Sequence, residues 1–486
     1  MPLQIEIFLT VAVYALMFFT TVRIILDTNN PAKALSYLLL NVMLPVLGSI
    51  AYFTLGVNYR KRRIYSKKLK ATSQLLTDIR EKSVAKTERL IERDAPQLGG
   101  HTELAQLLLN EVNEPLSLNC VTLLNNGEAK FPAVLEDLEA AQDFIHIQYY
   151  IYEDDEIGNQ IKEVLIRKAK EGVKVRFIYD DFGSRGLRKD FLKELKAGKV
   201  EAVPFYKVRW PFFASRLNYR NHRKIIVIDG HTGYVGGINV SDRYVNSKPK
   251  NGQLYWRDTH VRIEGPGVWT LQYTFLADWN FCSRQRLNPD ERLFPPTSRP
   301  ITNAREMVQI VAGGPDYPRS GIMLSFFTAI ANASDRIFLT SPYFIPNASI
   351  FDALRKAALS GKDVRLLVPG VSDSGFVNAA SRSYYQDLIE CGVKIYLYQK
   401  GFVHSKTLVV DDYLSFVGTA NMDNRSFDLN FEINAVIYGK EFCDELARSF
   451  LKDLDDSKLV TLNSWRRRKQ LDKFYSKIAR LFSPLL

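Results

Sequence analysis

The sequence predicts an α/β protein of two similar lobes, each a mixed sheet flanked by helices, related by an internal duplication and preceded by a helical hairpin in a membrane. Three observations predict it. The stretch HRKIIVID beginning at His222 returns as HSKTLVVD beginning at His404. An order of strand, helix, strand and motif runs through the chain twice. Two long apolar stretches lead the sequence.

Residues 34 to 57 carry no charge, a run longer than the roughly 20 residues a helix needs to cross a bilayer core. The earlier run from Ile7 to Val22 is shorter, but Arg23 can snorkel and Ile24 to Leu26 extend it. No Lys or Arg precedes that run and no small-x-small cleavage site follows it, which disfavours a signal peptide. Basic residues then crowd Asn58 to Lys70, NYRKRRIYSKKLK, without an acid among them. The positive-inside rule keeps this cluster and the large body in the cytoplasm, and a hairpin returns the amino terminus to the same side.

The net charge of +12 is concentrated in that cluster and in the tail from Ser464 to Leu486, which leaves the remaining chain near neutrality. Basic flanks on a neutral body suit an anionic membrane surface better than a nucleic-acid groove. The four cysteines are far apart, without CxxC or metal-ligand spacing, and read as reduced thiols rather than a zinc site. Expected units are a hairpin over 1–57, a basic juxtamembrane linker over 58–115, a first lobe over 116–298, a second over 299–460 and a basic amphipathic tail over 461–486.

FIHIQYYIY from Phe144 opens the first lobe as a strand, a helical pattern follows through NQIKEVLIRKAKEG, and VKVRFIYDD is the next strand. RIFLTSPYFI from Arg336, IFDALRKAALSG and DVRLLVPG repeat that order, and the Pro-rich LFPPTSRP from Leu293 connects the halves. The acidic run Glu153 to Glu156 reads as a helix start.

Residues two apart on a strand share a face, so His222 projects with Lys224, and His404 with Lys406. Asp229 with Gly230, and Asp411 with Asp412, supply turn chemistry, and GYVGGIN and LSFVGTAN return as partner strands ending on Asn239 and Asn421. Two copies with companions at equal intervals are far beyond coincidence. His101, His146, His231 and His260 have no repeat partner and read as ordinary packed or solvated residues. Aromatic and basic residues alternate from Phe205 to Arg223, which reads either as a lip dipping into lipid headgroups or as a buried aromatic cluster, and the tail from Trp465, with apolar residues at near-helical intervals, reads as an interfacial helix on anionic lipid.

On the two motifs, with NYRNHRK, SPYFIP, NMDNRSF and the WRRR tail, the chain resembles the phospholipase D superfamily from about Leu116 to Asp455 and, within it, the bacterial cardiolipin synthases. The resemblance implies two phospholipase D-type lobes, a covalent phosphohistidine, and no metal ion or other cofactor. One imidazole must attack phosphorus neutral while the other, protonated, serves the leaving oxygen. His222 is assigned as nucleophile and His404 as acid and base, an assignment that the residues alone leave exchangeable. Lys224, Lys406, Asn239 and Asn421 would hold the non-bridging oxygens, and Asp258 and Glu432 would orient the imidazoles. Asp229 and Asp411 complete the catalytic motifs, shaping the turn and supporting the site. Gly237 stands where many superfamily members have serine, and Ser241 and Ser426 follow the asparagines at unequal intervals.

The resemblance further implies transfer of a phosphatidyl group between two phosphatidylglycerol molecules at a bacterial cell membrane crossed more than once, with anionic lipids and no nucleic acid as partners. Hydrolysis, transfer to another alcohol, or a non-catalytic lipid-binding role are the alternatives.

Overall fold

The computed structural model describes residues 3–28, 31–53, 74–112, 114–207, 219–247, 252–283, 285–287, 292–295, 304–317 and 319–483. The basic run, most of the aromatic stretch before His222 and most of the Pro-rich connection lie outside the described residues.

In the first lobe the wholly buried strand Phe144–Tyr149 runs parallel to Lys174–Asp180, which runs parallel to Glu201–Phe205. The helix Glu156–Glu171 connects the first two, and Asp155 caps it by accepting from Gly158 N at 3.0 Å, so the acidic run does start a helix. Ile225–Ile228, the strand of the first motif, lies antiparallel to Phe144–Tyr149. The second lobe repeats the plan: Arg336–Thr340 runs parallel to Asp363–Pro369, that strand parallel to Lys394–Tyr398, and Thr407–Val410 lies antiparallel to the first. Helices cover both faces, which is why the central strands read as apolar runs.

The lobes share backbone. Ser117–Asn125 pairs with Thr259–Glu264 on one side and Glu306–Gly313 on the other, so one sheet of 15 strands passes through both lobes. Two smaller junctions cross between them: Gly401–Val403 lies parallel to Tyr255–Arg257, and Asn221 bridges to Phe431. Both end next to a motif histidine. The segment expected as a linker is helical at Gln74–Arg93 and Thr102–Val112, and Leu104, Leu108 and Leu109 join the core of the second lobe beside Met307, Val311 and Ile322. Its apolar spacing was masked in the sequence by the charged residues around it.

At the amino end the expectation needs a correction. Helix α1, Leu3–Asp27, is the one described helix long and apolar enough to cross a bilayer. Arg23 pairs with Asp27 at 2.8 Å, which neutralises the charges that shorten its apolar run. The longer charge-free run does not form one helix: α2, Pro31–Met43, stops at Leu44, and α3, Pro45–Ala51, turns back. Ser49 Oγ donates to Asn41 Oδ1 at 2.9 Å, and the rings of Tyr37 and Tyr52 lie 5.5 Å apart, so α3 retraces α2. A Cβ on Gly48 would fall 2.5 Å from Asn41 Cα, and only glycine permits that approach. Thr20 Oγ1 bonds Ser49 Oγ, Asn41 Nδ2 reaches Met17 O, and Tyr52 OH reaches Arg23 O. Polar groups thus face inward while Leu35, Leu39, Met43, Leu47 and Ile50 face outward, a pattern suited to lipid.

Candidate active site

Each histidine is docked on the opposite lobe. His222 N donates to Phe431 O at 2.9 Å, and His404 N donates to Arg257 O at 2.7 Å. Phe431 and Arg257 each precede a predicted carboxylate, so these backbone bonds bring Glu432 to His222 and Asp258 to His404. The pairing is crosswise: His222 Nδ1 lies 2.9 Å from Glu432 Oε2, and His404 Nδ1 lies 2.7 Å from Asp258 Oδ2. A carboxylate only accepts, so each Nδ1 carries the proton and each Nε2 is left with its lone pair. The charge of Lys406 reaches His222 and that of Lys224 reaches His404, so the two motifs share one centre.

All six groups of that centre are buried: His222, Lys224, His404, Lys406, Asp258 and Glu432. Burial lowers both imidazoles; Glu432 resists this for His222, whereas the Lys406 ammonium, 3.0 Å from His404 Nδ1, helps push His404 down to about 3. Burial also lowers Lys224 to about 7 and Lys406 to about 8, against the attraction of Glu432 and Asp258 respectively. Burial alone would raise the carboxyls, but Lys406 with His404 holds Asp258 below the usual range, and His222 with Lys224 does the same for Glu432. Two lysines face two ionised carboxylates here, and it is burial that lowers the lysines. An anion placed between them raises all four basic groups together.

Several predicted residues do other work. Asp229 and Asp411 sit at the far ends of the motif strands, where both adopt positive φ, 51° and 54°. The Asp229 carboxylate accepts from the backbone N of Gln142, Asp143 and Phe144, and Asp411 from Ser334, Asp335 and Arg336. They pin the loops that lead into the central strands and leave the catalytic set, because the strand between them and the lysines carries them to the opposite end of the sheet. Asp411→Ala is therefore expected to lower stability by about 1–3 kcal/mol, read from the denaturation midpoint, with turnover of the folded fraction little changed. Loss of turnover at unchanged stability would return Asp411 to the reaction.

The asparagines are not equivalent. Asn239 is committed, its Nδ2 donating to Tyr244 OH at 2.9 Å and its Oδ1 accepting from Ile151 N at 3.2 Å. That bond sets the Tyr244 hydroxyl 3.5 Å from His404 Nδ1. Asn421 Oδ1 is buried without a partner among the described residues, whereas both sides of the Asn239 amide are used. Ser426 Oγ accepts from Asn421 N at 3.1 Å, whereas Ser241 donates to Glu153 at 2.6 Å. Gly237 has its reason in the site: a Cβ there would fall 2.1 Å from Asp258 Oδ1.

Thr419, the residue matching Gly237 in the second repeat, donates from Oγ1 to Glu432 Oε2 at 2.5 Å and was not anticipated. Nor was Arg223, inside the first motif. Its guanidinium donates to Glu432 O at 3.1 Å, Gly313 O at 3.1 Å and Asp278 Oδ2 at 2.7 Å, which locks the Glu432 strand to the first lobe. Its place between His222 and Lys224, on the face turned away from them, was the available signal. Of the unrepeated histidines, His146 bonds Gln272 at 2.9 Å and stacks on Phe275 inside the core.

The two lobes have counterparts among known proteins. A family model described as cardiolipin synthase, PLD-like domain, matches residues 134–258 and 326–454, one match on each lobe. A cardiolipin synthase of Geobacillus kaustophilus is 42% identical over 469 residues, covering 96% of this chain and 92% of the relative. A cardiolipin synthase 2 of Bacillus anthracis is 40% identical over 467 residues, covering 95% and 88%. Among solved structures, the phosphatidylserine synthase of Haemophilus influenzae Rd KW20 matches the fold at a TM-score of 0.60 with 14% identity, over 78% of this chain and 99% of that one. With both repeats matched and near full-length identity above 40%, the chain belongs to the cardiolipin synthase family of phospholipase D-like proteins.

Proposed function

We propose that this chain is a phosphatidyltransferase that makes cardiolipin from two molecules of phosphatidylglycerol and releases glycerol. The observation that carries the reaction is the crosswise pairing of two buried imidazoles with two carboxylates beside two lysines. His222 Nε2 attacks phosphorus, the P–O bond to glycerol breaks, and His404 gives its proton to the departing oxygen. The glycerol hydroxyl of the second lipid then loses its proton to His404 and attacks the phosphohistidine, and His222 is released. Lys224, Lys406 and Asn421 hold the charge that gathers on the non-bridging oxygens. Glu432 and Asp258 fix the rings and stabilise each imidazolium as it forms.

The test uses the full chain in phosphatidylglycerol vesicles without added divalent cation. Cardiolipin with glycerol is the expected product pair; phosphatidic acid with glycerol as the main pair would make the chain a hydrolase. The lysines must be protonated to act. Since burial lowers them to about 7 and about 8 in the free enzyme, kcat/KM is expected to fall as pH rises through that window. A profile flat to about pH 9.5 would detach the lysines from the reaction.

The chain is read as a membrane protein with its body in the cytoplasm. The exposed apolar residues of α1, and Leu471, Phe474 and Leu481 exposed on the helix Gln470–Leu481, support that reading. Because α3 turns back along α2, α1 is the one crossing among the described residues, which puts the amino terminus outside. A single cysteine at Gln4 is expected to react with impermeant maleimide on intact cells, and one at Thr72 only in opened cells. Protection of both in intact cells would restore the two-crossing hairpin.

A further inference from the structure

The strand that carries His222 presents one more residue to the centre. Phe431 N donates to Arg220 O at 2.8 Å and His222 N donates to Phe431 O at 2.9 Å, which marks this segment as extended. Asn221 and Arg223 both reach Asp278, so they occupy the face turned away. Arg220, His222 and Lys224 therefore share the face of the site, at about 7 Å for each pair of residues. The matching row in the second repeat is Phe402, His404 and Lys406. Where the first lobe has a guanidinium, the second has a ring, packed 4.9 Å from Trp256 and 5.8 Å from His404.

Arg220 is 5% exposed, and its guanidinium lies 4.1 Å from the centre of the Phe182 ring. Arg185 lies 4.1 Å from the same ring. Two cations thus clasp one aromatic ring. The facing carboxylate, Asp180, is 3.9 Å from Arg220 and already accepts from the backbone N of Phe182, Gly183 and Asn221. The loop abuts the wall of the catalytic centre: a Cβ on Gly183 would fall 2.3 Å from Tyr150 O, and the Tyr150 ring lies 4.8 Å from the His222 ring. Arg220 also feels the positive charge of Arg425. A buried guanidinium in this company is under-neutralised and favours a monoanion with two free oxygens.

We infer that Arg220 and Arg185, clasping Phe182, bind the phosphodiester of the second lipid while its glycerol hydroxyl attacks the phosphohistidine. The inference rests on phosphatidylglycerol being the acceptor. That lipid carries its own phosphate one glycerol length from the reacting oxygen, a span comparable with the two-residue step from His222 to Arg220. The first lobe then receives the anionic headgroup, and the aromatic wall of the second lobe faces the uncharged glycerol.

The test compares two acceptors at the same intermediate. Phosphatidylglycerol vesicles supplied with labelled glycerol report exchange into the lipid, which needs no second phosphate, beside cardiolipin formation, which does. In Arg185→Gln, Arg220→Gln and Arg220→Lys the ratio of cardiolipin formed to glycerol exchanged is expected to fall, by about tenfold or more for the glutamines and less for the lysine. Arg185 is exposed, so its variant keeps the test valid if loss of Arg220 impairs folding. An unchanged ratio, or both activities falling together in a folded Arg185→Gln protein, would overturn the arginine site alone. Wild-type chain that exchanged glycerol without making cardiolipin would overturn the acceptor assignment and this site with it.

Discussion

His222→Ala is expected to abolish cardiolipin formation, with a loss of about ten-thousandfold or more, because no other group at that place can take up the phosphatidyl unit. His404→Ala should reduce overall turnover by a comparable factor for a different reason, the missing proton for the departing glycerol oxygen. A phosphatidyl ester with an acidic phenol as leaving group separates the two roles. Such a group departs without help, so His404→Ala should still form a phosphoryl-enzyme and release phenol, and His222→Ala should do neither. The opposite pattern would exchange the assignments, making His404 the nucleophile.

Asp258→Asn is expected to lower kcat by about a hundredfold to ten-thousandfold although Asp258 and the histidine it serves lie in different lobes. The amide can present N–H toward Nδ1, which favours the tautomer with the proton on Nε2, and it removes the negative charge that stabilises the imidazolium. Thr259 N donates to Asp258 Oδ1 at 2.7 Å, a bond that an asparagine oxygen can keep, so the backbone stays in place. The loss should merge with that of His404: Asp258→Asn combined with His404→Ala should be little worse than His404→Ala alone. Losses that multiplied would mean that Asp258 acts elsewhere, and the pairing seen here would not be the working one.

The motif face was legible in the sequence because strand geometry has a period of two, and His222, Lys224, His404 and Lys406 need nothing else to be placed in pairs. The family resemblance, together with their matching places after each motif, put Asp258 and Glu432 beside imidazoles. Which carboxylate serves which imidazole was not legible: Glu432 is 210 residues from His222, and the pairing depends on how the two halves of the sheet meet. Asp229 and Asp411 show the converse. Their regular spacing within the motif suggested chemistry, yet a short strand separates them from the site and their oxygens are spent on backbone N–H groups. At the amino end hydropathy measured the second apolar run correctly but is blind to direction. The reversal at Pro45 rests on Gly48 and on the Asn41 to Ser49 bond, small and polar residues that a hydropathy scan only counts as weaknesses.

The exchange of carboxylates between lobes means that half of this chain is not half of an enzyme. A lone repeat folded by itself would own an imidazole without its backing and a carboxylate without a ring to hold, so any single-repeat ancestor had to work as a pair of identical subunits. Fusion freed those subunits from having to match. The halves do differ: Arg220 stands beside one histidine where Phe402 stands beside the other, and Gly237 beside one carboxylate where Thr419 stands beside the other.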